Sequence, residues 1–210
     1  MHKNPKGKLI NIGGLDRSGS TMLDLMLGNA SDAFSCGEIY AYFRPSKSHH
    51  YCPVCSCEDK NCHFWNRLKY TKENSFHYEL INYFNMNYVI DSSKQINWII
   101  DSNRWARKNR IEPLNIILWK DPIELSYSWW KRGRSLYGWI HPFNDYYEKW
   151  FQTGLPFFAV NYNQLASDPQ TKLSEICRRI GMPYFKGKEQ FWTKDHHYLF
   201  GSAGVREQLK

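Results

Sequence analysis

Short apolar runs alternate along this chain with stretches whose apolar positions recur every three or four residues. The strand-like runs cover residues 9–13, 33–36, 88–91, 116–119 and 157–160. Helical patterns cover residues 20–27, 72–84, 94–108, 122–131 and 171–180. In the last of these, Leu173, Ile176, Cys177 and Ile180 share one face, and Gly181 follows as a stop signal. Strands that alternate with helices predict an α/β fold: a central parallel sheet flanked by helices. A single domain is expected over residues 1–210, with a cysteine-rich insertion at about 44–66 that breaks the alternation.

In such sheets the ligand crevice opens beyond the carboxyl ends of the strands. Four of the expected ends carry polar residues: Asp16-Arg17, Glu38, Asp91-Ser92-Ser93-Lys94 and Lys120-Asp121. The first lies in "LINIGGLDRSGSTMLDLMLGN", a strand, a glycine turn and a helix. Gly13 and Gly14 allow a tight turn, and the helix N-terminus with its loop N–H groups is a ready anion site. Ser18, Ser20 and Thr21 add hydroxyls, and Arg17 adds a planar charged fork suited to phosphate or sulfate. The plainer reading is a capped helix start. The lysine of G-x-x-x-x-G-K-[ST], which reaches the terminal phosphates of a nucleoside triphosphate, is missing. Further on, "KDPIELSYS" places Pro122 in the first turn of a helix, with Lys120 and Ser128 able to meet one anionic group. Lys131, Arg132 and Arg134 follow. Two anion sites would suit a nucleotide phosphorylated at two places.

Composition narrows the field only a little. Hydrophobic residues at 42% and charged residues at 23% are ordinary for a globular protein. The net charge of +8 points to an anionic partner: a nucleotide, an acidic substrate, nucleic acid or a membrane surface. No apolar run reaches about 18 residues and "MHKNPKGK" lacks a signal-peptide core, so no transmembrane segment and a cytoplasmic location are expected. Aromatics are abundant between residues 98 and 158, and Trp129, Trp130, Trp139 and Trp150 are read as core before pocket lining. The segment "CPVCSCEDKNCHFW" gathers Cys52, Cys55, Cys57 and Cys62, with His63 beside them. C-x-x-C is a common half of a zinc site, but Cys57 crowds Cys55 where a second spaced pair should stand. Structural zinc, disulfides and free thiols all stay open. Cys36 and Cys177 read as core, and His196-His197 as a solvated loop.

Taken in order, these motifs resemble the sulfotransferases that use 3'-phosphoadenosine 5'-phosphosulfate (PAPS), in their bacterial form. The likeness covers most of the chain. It implies that Gly14, Arg17, Ser18, Gly19, Ser20 and Thr21 surround the 5'-phosphosulfate, in the arginine form of that loop. It implies Lys120 and Ser128 for the 3'-phosphate, with lysine replacing the family's usual arginine and losing its fork. "VIDSSK" places Lys94 near the transferring group, "VNYNQL" places Tyr162 near the adenine, and "GSAGVRE" suggests Arg206 as a further nucleotide contact. "FSCGEI" matches the C-G-E motif of protein-tyrosine sulfotransferases and makes Glu38 the base; other members use a histidine, and none of the eight here falls in a matching motif. The implied reaction moves a sulfuryl group from PAPS to a hydroxyl or amine acceptor, leaves 3',5'-ADP and needs no metal. The acceptor and oligomeric state are unread, and no nucleic-acid partner is expected. Two rival readings are an atypical small nucleotide-dependent kinase and a basic nucleic-acid-binding module with a zinc knuckle.

Overall fold

The computed structural model describes residues 6–207. Its strands are β1 (Lys8–Gly13), β2 (Ala33–Ser35), β3 (Tyr88–Asp91), β4 (Glu112–Trp119) and β5 (Phe158–Asn161). They form one parallel sheet in the order β2-β3-β1-β4-β5. All five match the expected apolar runs, β4 starting earlier at Glu112. The runs are apolar throughout because both faces are covered: Leu9, Ile10, Ile12, Val89, Ile90, Ile116 and Leu118 are inaccessible to solvent. From β1 the chain goes to one side for β2 and β3 and then crosses to the other for β4 and β5. The strand order therefore reverses at the β1–β4 junction, where a crevice opens above the strand ends.

That junction is pinned by polar groups. Asn11 and Asn115 are register partners, and Asn11 Nδ2 donates to Asn115 Oδ1 at 3.1 Å. Ser102 and Asn103 complete the buried network from the helix that packs over it. A slip of one residue would separate these groups and leave them buried without partners.

The helices are α1 (Ser20–Gly28), α2 (Ile39–Phe43), α3 (His63–Leu68), α4 (Phe76–Tyr83), α5 (Ile96–Lys108), α6 (Pro122–Trp130), α7 (Ile140–Gln152), α8 (Tyr162–Ser167), α9 (Pro169–Ile180) and α10 (Ala203–Arg206). Among the described residues none is long and apolar enough to cross a membrane. The aromatic-rich stretch turns out to hold α7, which the sequence reading did not contain. Its Phe143, Tyr146, Tyr147 and Trp150 recur every three or four residues and pack beneath α6 and β4. Trp129 and Trp150 are core as expected and Trp139 is partly buried, whereas Trp130 is more than half exposed.

Helix α1 is buried along almost its whole length. Its C-terminal carbonyls are met by lysines from far along the chain. Lys188 Nζ donates to Leu27 O at 3.2 Å, and Lys194 Nζ donates to Gly28 O at 3.0 Å and Ala30 O at 2.6 Å. Cations at this end suit the helix dipole and leave its positive end free to face the crevice.

In the middle of α1, the carboxyl of Asp24 accepts from Ser35 Oγ at the end of β2 and from Ser92 Oγ, at 2.6 Å, just past β3. The Gly37 N–H adds a third donor. Complete burial raises this carboxyl from 3.8 to about 7, against the pull of the two serines and Gly37. A carboxyl whose folded pKa is raised contributes stability below its unfolded pKa, and that contribution is lost as pH rises through the folded value. His196 acts oppositely. Burial pushes it down to about 4, so its contribution is lost as pH falls from 6.5 towards 4. Comparison with Asp24→Asn isolates the carboxyl. The stability of the native chain minus that of the variant should be greatest near pH 4, decline towards pH 7 and level off above it, as read by urea melts at stepped pH. A difference that is flat across this window would assign the titration elsewhere.

Candidate functional site

The loop between β1 and α1 is shaped by close backbone approach. A Cβ on Gly14, at φ 149°, would fall 2.3 Å from Leu118 O. One on Gly19, at φ 94°, would fall 2.1 Å from the Tyr162 ring. Only glycine lets β4 and Tyr162 come this near. Leu15 anchors the loop from beneath, in the cluster with Leu125 and Trp129. Gly14 N–H donates to Tyr146 Oη at 2.8 Å, and that hydroxyl donates to Lys94 O at 2.7 Å. Helix α7 thereby ties the loop to the turn after β3. Burial raises the Tyr146 pKa above the usual phenol range, so it stays a neutral bridge. No side chain caps α1, leaving the first-turn N–H groups without a side-chain acceptor beside the cavity.

One cavity of about 560 Å³ opens above the loop. Of the residues singled out from sequence, Arg17, Gly19, Ser20, Thr21, Glu38, Lys120, Ser128 and Tyr162 line it together. Arg17 has a left-handed backbone (φ 76°), and its Nε lies 3.4 Å from Ser128 Oγ. Lys120 Nζ stands 4.4 Å from the Tyr162 ring centre. The loop arginine therefore turns towards the residues expected for a separate anion, and the two sets form one cationic wall. Burial lowers the pKa of Arg17, with Arg132 and Arg134 adding and Asp16 opposing. Burial also lowers that of Lys120, with Arg17 adding and Glu124 opposing. These cations are desolvated and repel one another, which a bound anion would relieve.

On the other side, Lys94 Nζ donates to Glu38 Oε1 at 2.5 Å, a pair only partly screened from solvent. Lys94 is held at φ 66° and sits behind Glu38. Left-handed backbone at Arg17 and Lys94 costs about 1–3 kcal/mol each, a strain the surroundings must impose. Beside Lys94 they include Asp91, which is buried and accepts from Trp98 Nε1 at 2.7 Å and from Ser93 N–H at 3.0 Å. Asp91 also pairs with His77 Nε2 at 2.9 Å. Ser93 Oγ in turn accepts from the Tyr40 N–H at 2.9 Å, next to Glu38.

Some expected residues are placed differently. Ser18 turns its hydroxyl beneath Gly14, buried and without a partner among the described residues, and its N–H is spent on Leu15 O. Gly14 shapes the loop from below without lining the cavity. The side chain of Arg206 lies outside the described residues, while its backbone ends α10. Sequence reading missed His49, His50, Phe200 and Gly201, which also line the cavity. His50 Nδ1 accepts the Ser46 N–H at 3.1 Å, which puts its ring proton on Nε2. Among the cysteines, Cys55, Cys57 and Cys62 meet at His197, so His197 belongs to no solvated loop. Cys52 is exposed at the cavity rim, and His63 is not part of the cluster.

No protein-family model matches the chain, and no curated protein matches it in sequence. Solved structures do. The sulfotransferase domain from the curacin biosynthetic pathway is 16% identical, with 92% of this chain and 80% of that one covered and a TM-score of 0.61. The sulfotransferase domain of the Synechococcus PCC 7002 olefin synthase is 17% identical over 92% and 80%, with a TM-score of 0.55. Sulfotransferase STF1 of Mycobacterium tuberculosis H37Rv is 12% identical over 91% and 72%, with a TM-score of 0.52. Identities this low speak to architecture: the chain has a sulfotransferase-like α/β fold, a five-stranded parallel sheet flanked by helices.

Proposed function

We propose that this protein is a sulfotransferase that moves a sulfuryl group from PAPS to a hydroxyl or amine acceptor and releases 3',5'-ADP. The observation that supports this reading is one cavity lined both by the α1 N-terminus with Ser20 and Thr21 and by Arg17, Lys120 and Ser128. Two groups able to meet anions suit a nucleotide phosphorylated at both 3' and 5' positions. Tyr162, which lies against Gly19 and Lys120 and lines the cavity, is the proposed neighbour of the adenine.

Sulfuryl transfer asks chiefly for in-line positioning and for stabilising charge on the leaving phosphate. Uncapped N–H groups and the hydroxyls of Ser20 and Thr21 would receive that charge without reorganising. Glu38 is the proposed base. It lines the cavity and pairs with Lys94 behind it, and a carboxylate is a form able to take a proton. The rival base lining the cavity is His50, but its free nitrogen carries the proton and so donates.

The reading is tested by calorimetry with 3',5'-ADP and 5'-AMP. Charge-assisted hydrogen bonds contribute about 1.5–3 kcal/mol each, so 3',5'-ADP should bind at least about tenfold more tightly. Arg17→Ala should remove most of that preference, because the guanidinium stands at Ser128. Equal affinities in the native chain would remove the second anion end and the reading with it. An Arg17→Ala chain that weakens on both nucleotides equally would move the guanidinium to the 5' group.

Once an acceptor is found by screening with radiolabelled PAPS, Glu38→Gln should slow transfer by ~10²–10⁴. Its 3',5'-ADP affinity should stay within about a few fold, since Gln keeps the shape but cannot take the proton. His50→Gln should leave the rate near that of the native chain. The opposite pattern would transfer the base role to His50.

A further inference from the structure

Cys55, Cys57, Cys62 and His197 converge so that one ligand atom of each lies within 4.8 Å of the others. His197 Nδ1 is 3.3 Å from Cys62 Sγ and 3.8 Å from Cys55 Sγ, and the sulfurs of Cys55 and Cys57 are 3.2 Å apart. Zinc bound tetrahedrally at about 2.3 Å to sulfur and about 2.0–2.1 Å to nitrogen sets S···S edges of about 3.8 Å and S···N edges of about 3.5 Å. The cluster therefore has the size of a metal's first coordination sphere. Two of the sulfurs, on Cys55 and Cys62, are on buried residues, and the other two ligands are partly exposed, which gives an ion a way in.

We propose that Cys55, Cys57, Cys62 and His197 form a structural zinc site that fastens residues 196–202 to the cysteine-rich insertion. Three thiolates and an imidazole in a tetrahedron select zinc over the harder divalent ions. Four protein ligands leave no open position, so the metal holds structure and takes no part in the transfer chemistry. On binding, the three thiols lose their protons to solvent, the neutral imidazole coordinates through Nδ1, and no oxidant is involved.

The surrounding contacts show what such a clamp would hold. Leu199 bridges Gly37 on one side and Cys55 on the other, and Leu199 O accepts the N–H of Glu38 at 3.1 Å. Ser56 Oγ donates to His196 O at 2.5 Å, and Trp65 Nε1 donates to His197 O at 2.6 Å. Phe200, Gly201 and Ser202 follow directly and line the cavity, with Ser202 N–H donating to Thr21 Oγ1 at 3.1 Å. Packing and metal together would set this wall across from the phosphate loop.

The test is the zinc content of the whole chain, purified without chelators and measured by mass spectrometry with no nucleotide present. Its outcome is thus independent of the sulfotransferase reading. One zinc per chain is expected, retained in Cys52→Ser and lost in Cys57→Ser and His197→Gln. Replacement by cobalt should give the visible spectrum of a tetrahedral ion with three thiolates and one nitrogen. Should the ligand variants fail to fold, that spectrum of the native chain decides alone. A folded native chain that takes up neither metal would overturn the site. So would a Cys55–Cys62 disulfide found by peptide mapping, or a four-thiolate spectrum lost with Cys52→Ser.

Discussion

One buried carboxyl holds the working parts of this molecule in common register. Asp24 lies inside α1, and its oxygens are shared between Ser35 at the end of β2 and Ser92 just past β3. Gly37 and Glu38 follow the first of these, and Ser93 and Lys94 follow the second. The helix whose N-terminus faces the cavity is thus bonded to both segments that carry the Glu38–Lys94 pair. Burying one carboxyl is costly unless donors surround it, and here three of them do. This hydrogen-bonded junction, more than the apolar sheet around it, sets where the acid and the cation stand relative to the loop.

Around that junction the cavity is built from groups under tension. Arg17 and Lys94 are held in left-handed backbone, and Arg17 and Lys120 are desolvated side by side. Each of these features costs stability. The compensation comes from elsewhere: the apolar strands, the asparagine ladder between β1 and β4, and the lysines at the far end of α1. Stability and site are thereby separated along the same helix.

The sheet was legible because a strand covered on both faces must be apolar at nearly every position, and that pattern survives in sequence. The turn into α1 was legible because Gly13-Gly14 and a hydroxyl-rich run between an apolar strand and an apolar helix mark a tight turn and a helix start. Helix α7 was not, although Phe143, Tyr146, Tyr147 and Trp150 carry helical spacing. Aromatic residues also suit strands and pockets, and the density of rings hid the period. Arg17 was found, but its direction depends on a left-handed backbone that no local pattern announces. Ser18 looked like a ligand and is a buried spacer. His197 was misread because its partners stand at 55, 57 and 62, and only the packing of residues 196–199 against Gly37 and Cys55 brings them together. Local rules see neighbours in the chain, and this cluster consists of neighbours in space.

The placement of residues 196–202 also gives the cavity a history. A ribosome delivers β1, the loop, Glu38 and Lys120 long before it delivers Phe200 and Gly201, and the earlier parts can pack as they emerge. Yet the wall that Phe200, Gly201 and Ser202 supply must wait for nearly the whole described chain. A nascent chain halted before this point would carry a sheet with an open trough in place of an enclosed site. The cavity therefore takes its shape only when residues 200–202 pack against Thr21, after the sheet, the loop and Glu38 are already in place.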